Sequence, residues 1–214
     1  MVDKRSATPQ PSAKVRILDK ARQLFAEHGF DGTSLQQVAD AVGMRKPSLL
    51  YHFRSKEALR ESVIEELLAH WQETLPRLLA ESRYGPDRFA NLFDALLSFF
   101  EEEPRRARLV TRAALDHPEL VRRLLREQLR PWTILLSDTI NMGKASGQIR
   151  EDVDAEAWVM HMISMVIGAV AVGPVSSALL TREDEEAVDW PREELVRIAR
   201  TSLFAPTPLE ADDG

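Results

Sequence analysis

The stretch VGMRKPSLLYHFRSKEAL, residues 42–59, decides how the rest of the sequence is interpreted. Its second residue, Gly43, is typical of the end of a helix. Pro47 has no backbone N–H and fits only the first turn of a helix, so a short helix is predicted to start at about Arg45 to Lys46. This short helix is basic and rich in hydrogen-bonding side chains, which suits contact with a polyanion.

Two helices are predicted before this segment. Apolar positions from Ala13 onward recur at spacings of three and four until Gly29, and a second helix capped by Thr33 or Ser34 repeats the pattern up to position 42. In the short third helix, positions 49 and 53 carry the apolar residues that can anchor it to the first two. Two helices joined by a glycine-containing turn predict a helix-turn-helix, whose second helix enters the major groove of DNA.

The distribution of charge supports this interpretation, although the total does not. The chain carries a net charge of −6, which taken alone argues against a polyanionic partner. Residues 1–60, however, hold eleven Lys and Arg against six Asp and Glu, a balance of +5, and residues 61–214 therefore carry −11. The asymmetry favours a basic nucleic-acid-binding module attached to an acidic body.

Composition narrows the class of protein. At 214 residues with 44% apolar content, the chain is long enough to form a substantial core. The sequence contains no Cys, which excludes disulfides, thiolate metal sites and cysteine nucleophiles and fits a reducing compartment. The N-terminal residues MVDKRSATPQPSAK, 1–14, contain no apolar stretch typical of a secretory signal, so we expect a cytoplasmic protein.

The remaining sequence is also predicted to be helical. Ser55 is the expected N-cap of a fourth helix, which Pro76 is expected to kink or end. Further helices are predicted at about 87–102, 104–115, 118–144 and 191–204, several of them starting at a proline. No stretch alternates like a strand over a useful length, and we therefore predict an all-α fold.

The segment WVMHMISMVIGAVAVGPVSSALL, residues 158–180, allows two interpretations. It contains no Asp, Glu, Lys or Arg and exceeds the ~20 residues that cross a bilayer. Acidic flanks, His161 and the Gly173-Pro174 interruption favour instead a helix covered by its own domain on one face and by a partner subunit on the other. We predict no membrane span, and a membrane-anchored helical adaptor stays as the alternative.

Polar side chains around the predicted helix-turn-helix are the candidate DNA contacts. Arg45 and Lys46 lie where base edges are read and can donate to guanine O6 and N7, while the ring of Pro47 suits a thymine methyl group. Bases or phosphates are the expected partners of the other polar residues, namely Thr33, Ser34, Gln36, Ser48, Tyr51, His52 and Lys56.

The run GFDGTSLQQVADAVGMRKPSLLYHFRSKEAL, residues 29–59, closely resembles the DNA-binding domain of the TetR family of transcriptional regulators. With Pro9 and Pro11 among polar residues, the segment 1–12 is predicted to be a flexible arm, and the segment 206–214 a flexible tail. Between them we expect a helix-turn-helix domain at 13–58 and, as the resemblance implies, a helical effector-binding and dimerisation domain at 59–205. The resemblance also implies a homodimer whose two recognition helices read a palindromic operator, and a larger domain whose ligand changes the separation of these helices and releases the operator. The family's DNA contacts fall on Ser34, Gln36, Arg45, Lys46, Pro47, Ser48, Tyr51, His52 and Lys56.

Two positions depart from the common TetR pattern. Leu50 stands where a tyrosine is frequent, which puts one phosphate contact in doubt. Arg45 replaces a frequent serine at the helix cap, so we expect weaker capping and an additional cation near the groove.

The resemblance also places an effector pocket between about residues 60 and 180 and a dimer interface at about 154–204. Met and aromatic content favours a hydrophobic or aromatic effector. Arg112 interrupts a largely apolar stretch and is a candidate partner for an anionic ligand. The candidate pocket residues are Trp71, Phe93, Arg112, His117, Trp132 and Met160, with His70, Phe89, Phe100 and Met165 in the wider set.

An enzyme is not predicted. The cluster Asp116-His117-Pro118-Glu119 brings a carboxylate and an imidazole together, but adjacent residues do not converge on one point, and a turn with a helix start explains them better. The five His residues show no metal-ligand spacing, and no glycine-rich loop is present, so no cofactor is expected. A helix-turn-helix regulator without a small-molecule effector remains open beside the ligand-responsive repressor.

Overall fold

The computed structural model describes residues 12–81, 86–179 and 192–204, and its regular secondary structure within these ranges is helical apart from one antiparallel bridge between Ile149 and Phe204. The all-α prediction is confirmed. Residues 1–11 of the predicted arm and the predicted tail lie outside the described ranges. In chain order the helices are α1 Ala13–His28, α2 Leu35–Ala41, α3 Lys46–His52, α4 Lys56–Glu81, α5 Pro86–Glu101, α6 Pro104–Asp116, α7 Pro118–Gln128, α8 Arg130–Ala145, α9 Ala155–Ser176, a 3-10 turn Ser177–Leu179, and α10 Arg192–Leu203.

The chain divides into two compact units, Met1–Glu66 and Leu67–Gly214. The division therefore falls inside α4, a continuous helix that begins at Lys56. The limits expected from the sequence, 13–58 and 59–205, remain predictions.

In the first unit, α1, α2 and α3 pack in series around one core. Most side chains that the helical spacing assigned to this core have 4% or less of their surface exposed, namely Ile17, Ala21, Phe25, Val38, Ala39, Leu49 and Phe53. Val42 is also buried and Leu24 and Leu35 are half-buried, whereas the assignment of His28 to the same face is wrong, because its side chain is exposed at the end of α1. Gly29 and Gly43, with φ of 76° and 70°, end α1 and follow α2 in the left-handed region that favours glycine. The predicted order of helix, turn and short helix is therefore present.

The start of α2 uses two neighbouring hydroxyls differently. Ser34 forms a capping box, in which its Oγ accepts from Gln37 N at 3.2 Å and Gln37 Oε1 accepts from Ser34 N at 2.7 Å. Thr33 is buried, and its hydroxyl lies 2.9 Å from Gly29 O and 3.2 Å from Leu24 O. The expectation that Thr33 offers its hydroxyl to DNA is wrong, because the fold already uses that group.

The predicted helices differ from the structure at two places. Of the two outcomes expected at Pro76, a kink or an end, the end is not found, and the predicted continuous helix at 118–144 is wrong. Pro76 lies inside α4, which continues to Glu81, so the missing N–H does not end the helix. The single helix expected at 118–144 is two helices, because Pro131 in the first turn of α8 has no N–H to continue the ladder of α7. Similarly, α9 passes through Pro174 before ending at Ser176.

In the second unit, α5, α6, α8 and α10 pack against α9. One core cluster consists of Ile140, Ile149, Ala155, Val159 and Leu203. The start of α9 is capped by Asp154, whose Oδ1 accepts from Ala157 N at 2.9 Å. A further link joins α9 to α10, where Trp158 Nε1 donates to Ser202 Oγ at 3.0 Å.

We expect the buried Thr33 hydroxyl to stabilise the first unit. Replacing Thr33 with Val keeps the shape but leaves the carbonyls of Gly29 and Leu24 without this donor, and should cost about 1–3 kcal/mol of unfolding free energy. Urea unfolding followed by circular dichroism measures the loss. Thr33→Ser, which retains the hydroxyl, should cost less. A loss in Thr33→Val no larger than that in Thr33→Ser would contradict the stabilising role of the hydroxyl.

Candidate nucleic-acid interface

Helix α3 has one buried side and one exposed side. Leu49 and the residue that follows the helix, Phe53, are buried against the first unit. The opposite side is solvent-exposed and carries most of the predicted DNA contacts, namely Arg45, Lys46, Pro47, Ser48, Tyr51 and His52. The geometry therefore brings these six residues together on one accessible surface, which we call the α3 surface.

The N-terminal end of the α3 surface is cationic. Arg45 is the N-cap residue, with an extended backbone and no side-chain capping bond, as expected for Arg in place of Ser. Within the described residues, neither Arg45 nor Lys46 forms an ion pair, and the first turn of α3 contains no acidic residue. Both cations, together with the positive end of the helix dipole, are therefore available to an anionic or electron-rich partner.

The other end of the α3 surface is aromatic. Tyr51 is 87% exposed, and its ring meets that of His52 edge-on at 5.5 Å between centroids. A tyrosine this exposed gains little from its own fold, so its hydroxyl and ring are free for a binding partner. The predicted role of both residues at phosphates fits this position.

The predicted contacts on α2 are exposed but already take part in local hydrogen bonds. Gln36 Nε2 donates to Asp40 Oδ1 at 2.7 Å, which leaves its second N–H and its carbonyl oxygen for a base. Ser34 accepts at its Oγ within the capping box but keeps its O–H for a phosphate. Each of these side chains is thus held in place without losing its capacity to bind.

Lys56 is less free than the other candidates. It is half-buried, with its ammonium 4.3 Å from the centre of the Phe30 ring and its Nζ 3.5 Å from Asp31 O. The guanidinium of Arg60 lies 4.1 Å from the same ring centre, and partial burial lowers the pKa of Arg60 from its ordinary value. Phe30 therefore holds two cations of the first turns of α4.

Sequence reasoning did not identify Phe30, Arg60 or Arg16 as contributors to this site. Arg16 Nη2 donates to Val42 O at 2.7 Å and fixes the end of α2, next to the turn that leads into α3. Phe30 could have been found from the sequence, because the Gly-Phe pair at positions 29 and 30 begins the run that resembles the TetR DNA-binding domain. The bond made by Arg16 spans 26 residues and has no local pattern.

The second unit contains a cavity of about 490 Å³ lined by side chains of α4, α5, α8 and α9 among others. Trp71, Phe93 and Trp132 line it, and so do Phe89 and Phe100 from the wider set. Among the described residues that line the cavity, none carries a charge. The cavity is therefore suited to an apolar molecule.

Three of the candidate pocket residues do not line this cavity. Arg112 is exposed on α6, and Met160 on α9 is 56% exposed. His117 lies between Asp116, where α6 ends, and Pro118, where α7 begins, in the turn and helix start expected from the sequence. His70 and Met165 are also outside the lining, although His70 stacks on Phe99, a lining residue, at 4.4 Å between ring centroids.

The first unit, with its exposed basic α3 anchored by a buried side, defines a helix-turn-helix DNA-binding protein. Residues 17–63 match the family model described as bacterial regulatory proteins, tetR family. Residues 85–186 match the tetracyclin repressor-like C-terminal domain. The chain belongs to the TetR family of transcriptional regulators.

Named relatives agree with this assignment. The chain is 29% identical over 158 residues to the HTH-type transcriptional repressor KstR2 of Mycolicibacterium smegmatis, covering 70% of this chain and 74% of the relative. It is 25% identical over 155 residues to the repressor DhaR of Mycobacterium sp., covering 72% and 78%. The regulator IcaR of Staphylococcus aureus is 34% identical over 97 residues, covering 45% and 50%.

Solved structures share the fold. The ketosteroid transcriptional regulator KstR2 of Mycobacterium tuberculosis superposes with a TM-score of 0.67 at 18% identity, covering 94% of this chain and all of that one. The fatty acid degradation regulator FadR of Bacillus halodurans gives 0.70 at 14% identity, covering 90% and 96%. At these identities the likeness shows the fold alone.

The family assignment makes the chain a DNA-binding transcription regulator and not an enzyme.

The apolar segment Ala155–Leu179 qualifies by its length and by a mean hydropathy of 1.9 as a candidate membrane span. The core helix of a soluble protein can have the same length and hydropathy. In this chain, 17% of the most apolar window of Ala155–Leu179 is buried. Single apolar helices of this kind are weak evidence for a membrane protein, whereas the family consists of DNA-binding regulators.

We expect Lys46 and Lys56 to contribute differently to DNA binding. Lys46→Ala removes a donor near the base edges and should weaken specific binding by about 1–3 kcal/mol, with less effect on non-specific DNA. Lys56→Ala should weaken both and reduce the salt slope by about one. Fluorescence anisotropy with operator and random duplexes at several salt concentrations measures both quantities.

Lys20→Ala serves as the control, because Lys20 Nζ donates to Gln23 Oε1 within α1 at 3.0 Å. It should leave the ratio of specific to non-specific binding unchanged. If Lys46→Ala and Lys56→Ala reduce that ratio equally, the division between a base contact and a phosphate contact is wrong.

Proposed function

We propose that the protein is a repressor that binds a palindromic operator as a homodimer and is released when a small hydrophobic or aromatic molecule occupies the cavity of the second unit. The observation that carries the proposal is the α3 surface, where cationic and hydrogen-bonding side chains are exposed on a helix whose other side is fixed in a core. The relatives DhaR and KstR2 are repressors, which supports the sign of regulation. A regulator of DNA of this kind acts in the cytoplasm.

The DNA contacts that we propose are Ser34, Gln36, Arg45, Lys46, Pro47, Ser48, Tyr51, His52 and Lys56. A single seven-residue helix reads only a few base pairs, because only its exposed side reaches the groove. Two copies related by a two-fold axis double the contact and require an inverted repeat as target. The short length of α3 is therefore a reason to expect a dimer.

The second unit has an exposed apolar face that suits the dimer interface. Val172 and Val175 near the end of α9 and Leu179 in the 3-10 turn are 54%, 77% and 84% exposed. Ile198 on α10 is 41% exposed. These residues lie within the region 154–204 expected from the sequence, and a second copy of the chain would remove their apolar surface from water.

The proposed response to ligand rests on α4. Leu67, Leu68, Trp71 and Leu75 of this helix line the cavity, and Lys56 begins the same helix. If α4 moves as one helix, a ligand that requires it to shift also displaces Lys56 from Phe30. Release of DNA then follows if the ligand binds the shifted state more tightly than the DNA-bound state.

Selection of binding sites from a random duplex library tests the function directly. We expect enrichment of an inverted repeat, and affinity for that repeat should fall by about three to five orders of magnitude between low and moderate salt if six to ten phosphates are contacted. Library compounds that raise the melting temperature are then tested for DNA release. Enrichment of a single, unrepeated half-site would contradict the dimeric reader, and stabilising compounds that never release DNA would favour a regulator without a small-molecule effector.

Two exposed apolar residues provide a matched test of the interface. Val175→Glu on α9 should give monomers and reduce operator affinity at least about tenfold, because a charge would be buried between subunits. Leu115→Glu on α6 is the control, since Leu115 is 76% exposed compared with 77% for Val175 but lies outside 154–204. Analytical ultracentrifugation and operator binding measure both variants. A dimer that survives Val175→Glu unchanged would place the interface elsewhere.

A further inference from the structure

We infer that the effector is an uncharged molecule with an apolar body and one neutral hydrogen-bonding group, and that Gln148 at the rim of the cavity binds this group. The inference rests on the proposed function and specifies the chemical class of its ligand. The side chains that line the cavity determine which chemical groups can lose their hydration water there.

The described lining residues disfavour a charged group between the apolar walls of the cavity. They include Trp71, Phe93, Phe99 and Phe100, and none of them is Asp, Glu, Lys, Arg or His. A carboxylate or ammonium group that enters such a cavity loses its hydration without gaining a counter-charge, which is far more costly than for a neutral group. The surface of α6, where Arg112 is exposed, does not compensate because Arg112 is outside the lining.

The hydroxyls in the lining have already donated their protons. Thr133 Oγ1 donates to Arg130 O at 2.9 Å, Thr139 Oγ1 to Leu135 O at 2.9 Å, and Ser146 Oγ to Gly143 O at 3.0 Å. Each hydroxyl therefore offers only acceptor lone pairs to a ligand. They cannot stabilise a carboxylate, which only accepts hydrogen bonds.

Gln148 differs from the other polar lining residues. Its side chain is exposed and forms no hydrogen bond within the described part of the chain, so its amide offers both donors and an acceptor. Its backbone N–H donates to Gly143 O at 3.0 Å, the carbonyl that also accepts from Ser146 Oγ, so the two polar residues lie together beyond the end of α8. Thr139 precedes Gly143 by one helical turn and extends this polar rim.

This arrangement favours a molecule with two distinct ends. Its apolar body is covered by the aromatic walls, while its neutral head reaches the rim formed by Thr139, Ser146 and Gln148. A hydroxyl head fits best, because it donates to a lone pair of Ser146 or Thr139 and accepts from the amide of Gln148. A carbonyl head uses the amide donor alone.

The test uses four probes on one skeleton: para-butylbenzyl alcohol, para-butyltoluene, para-butylbenzoate and para-butylbenzylamine. Binding to the full-length protein near neutral pH is followed by the fluorescence of Trp71, Trp132 and Trp158, which line the cavity. We expect the alcohol to bind at least about tenfold more tightly than the benzoate and the protonated amine, and more tightly than the toluene. A charged probe that binds as tightly as the alcohol overturns the inference, and so does the failure of all four to bind.

Gln148→Leu separates the rim from the apolar walls. It should reduce the affinity for the alcohol about fivefold to tenfold and leave the affinity for para-butyltoluene within about twofold. Gln72→Leu is the control, because Gln72 is an exposed glutamine of α4 outside the lining and should change neither. A Gln148→Leu variant that keeps the full preference for the alcohol overturns the role of the rim.

Operator release is measured in parallel, so that the two proposals can fail independently. Selective binding of the alcohol without release of DNA supports the inferred ligand class and contradicts the proposed response. Release of DNA by the benzoate or the amine supports the proposed response and contradicts the ligand class.

Discussion

The burial of Leu49 and Phe53 is the constraint on which the DNA-binding unit depends. A helix of seven residues is too short to be stable by itself in water, so α3 depends on the burial of these side chains in the core of the first unit. The same anchoring determines what the opposite side presents. With one side fixed, Arg45, Lys46 and Ser48 have only solvent, or a ligand from solution, to contact.

Caps and hydrogen bonds at the turns determine where the helix before α3 begins and ends. The capping box of Ser34 sets where α2 begins, and the bond from Arg16 to Val42 O fixes where it ends. Ser34 was predictable because capping follows a local pattern of residue types. Arg16 and the buried hydroxyl of Thr33 were not, since their partners lie 26 and four to nine residues away and are selected by the folded geometry.

In the second unit, the sequence predicted where the helices lie better than which side of each helix is buried. Prolines at 86, 104 and 118 correctly mark helix starts, whereas Pro131 divides a helix that apolar spacing alone made continuous. Trp71, Phe93 and Trp132 line the cavity as large apolar residues often do, while Arg112 interrupts the apolar stretch on the solvent side of α6. Because α9 is apolar all round, its period could not distinguish the side toward α8 from the side left exposed.

DNA binding and the proposed binding of a ligand are linked by thermodynamics whatever the path between them. A ligand alters DNA affinity only by the difference between its affinities for the DNA-bound and the free state. Reciprocity then requires operator DNA to weaken ligand binding by the same factor. Because no described residue that lines the cavity carries a charge, the affinity for an uncharged ligand should depend little on salt, whereas the cationic α3 surface makes DNA affinity strongly salt-dependent. The coupling factor is nevertheless the same from either side, so titrations of ligand and DNA at two ionic strengths should show different salt dependence of the two affinities but one coupling factor at each ionic strength.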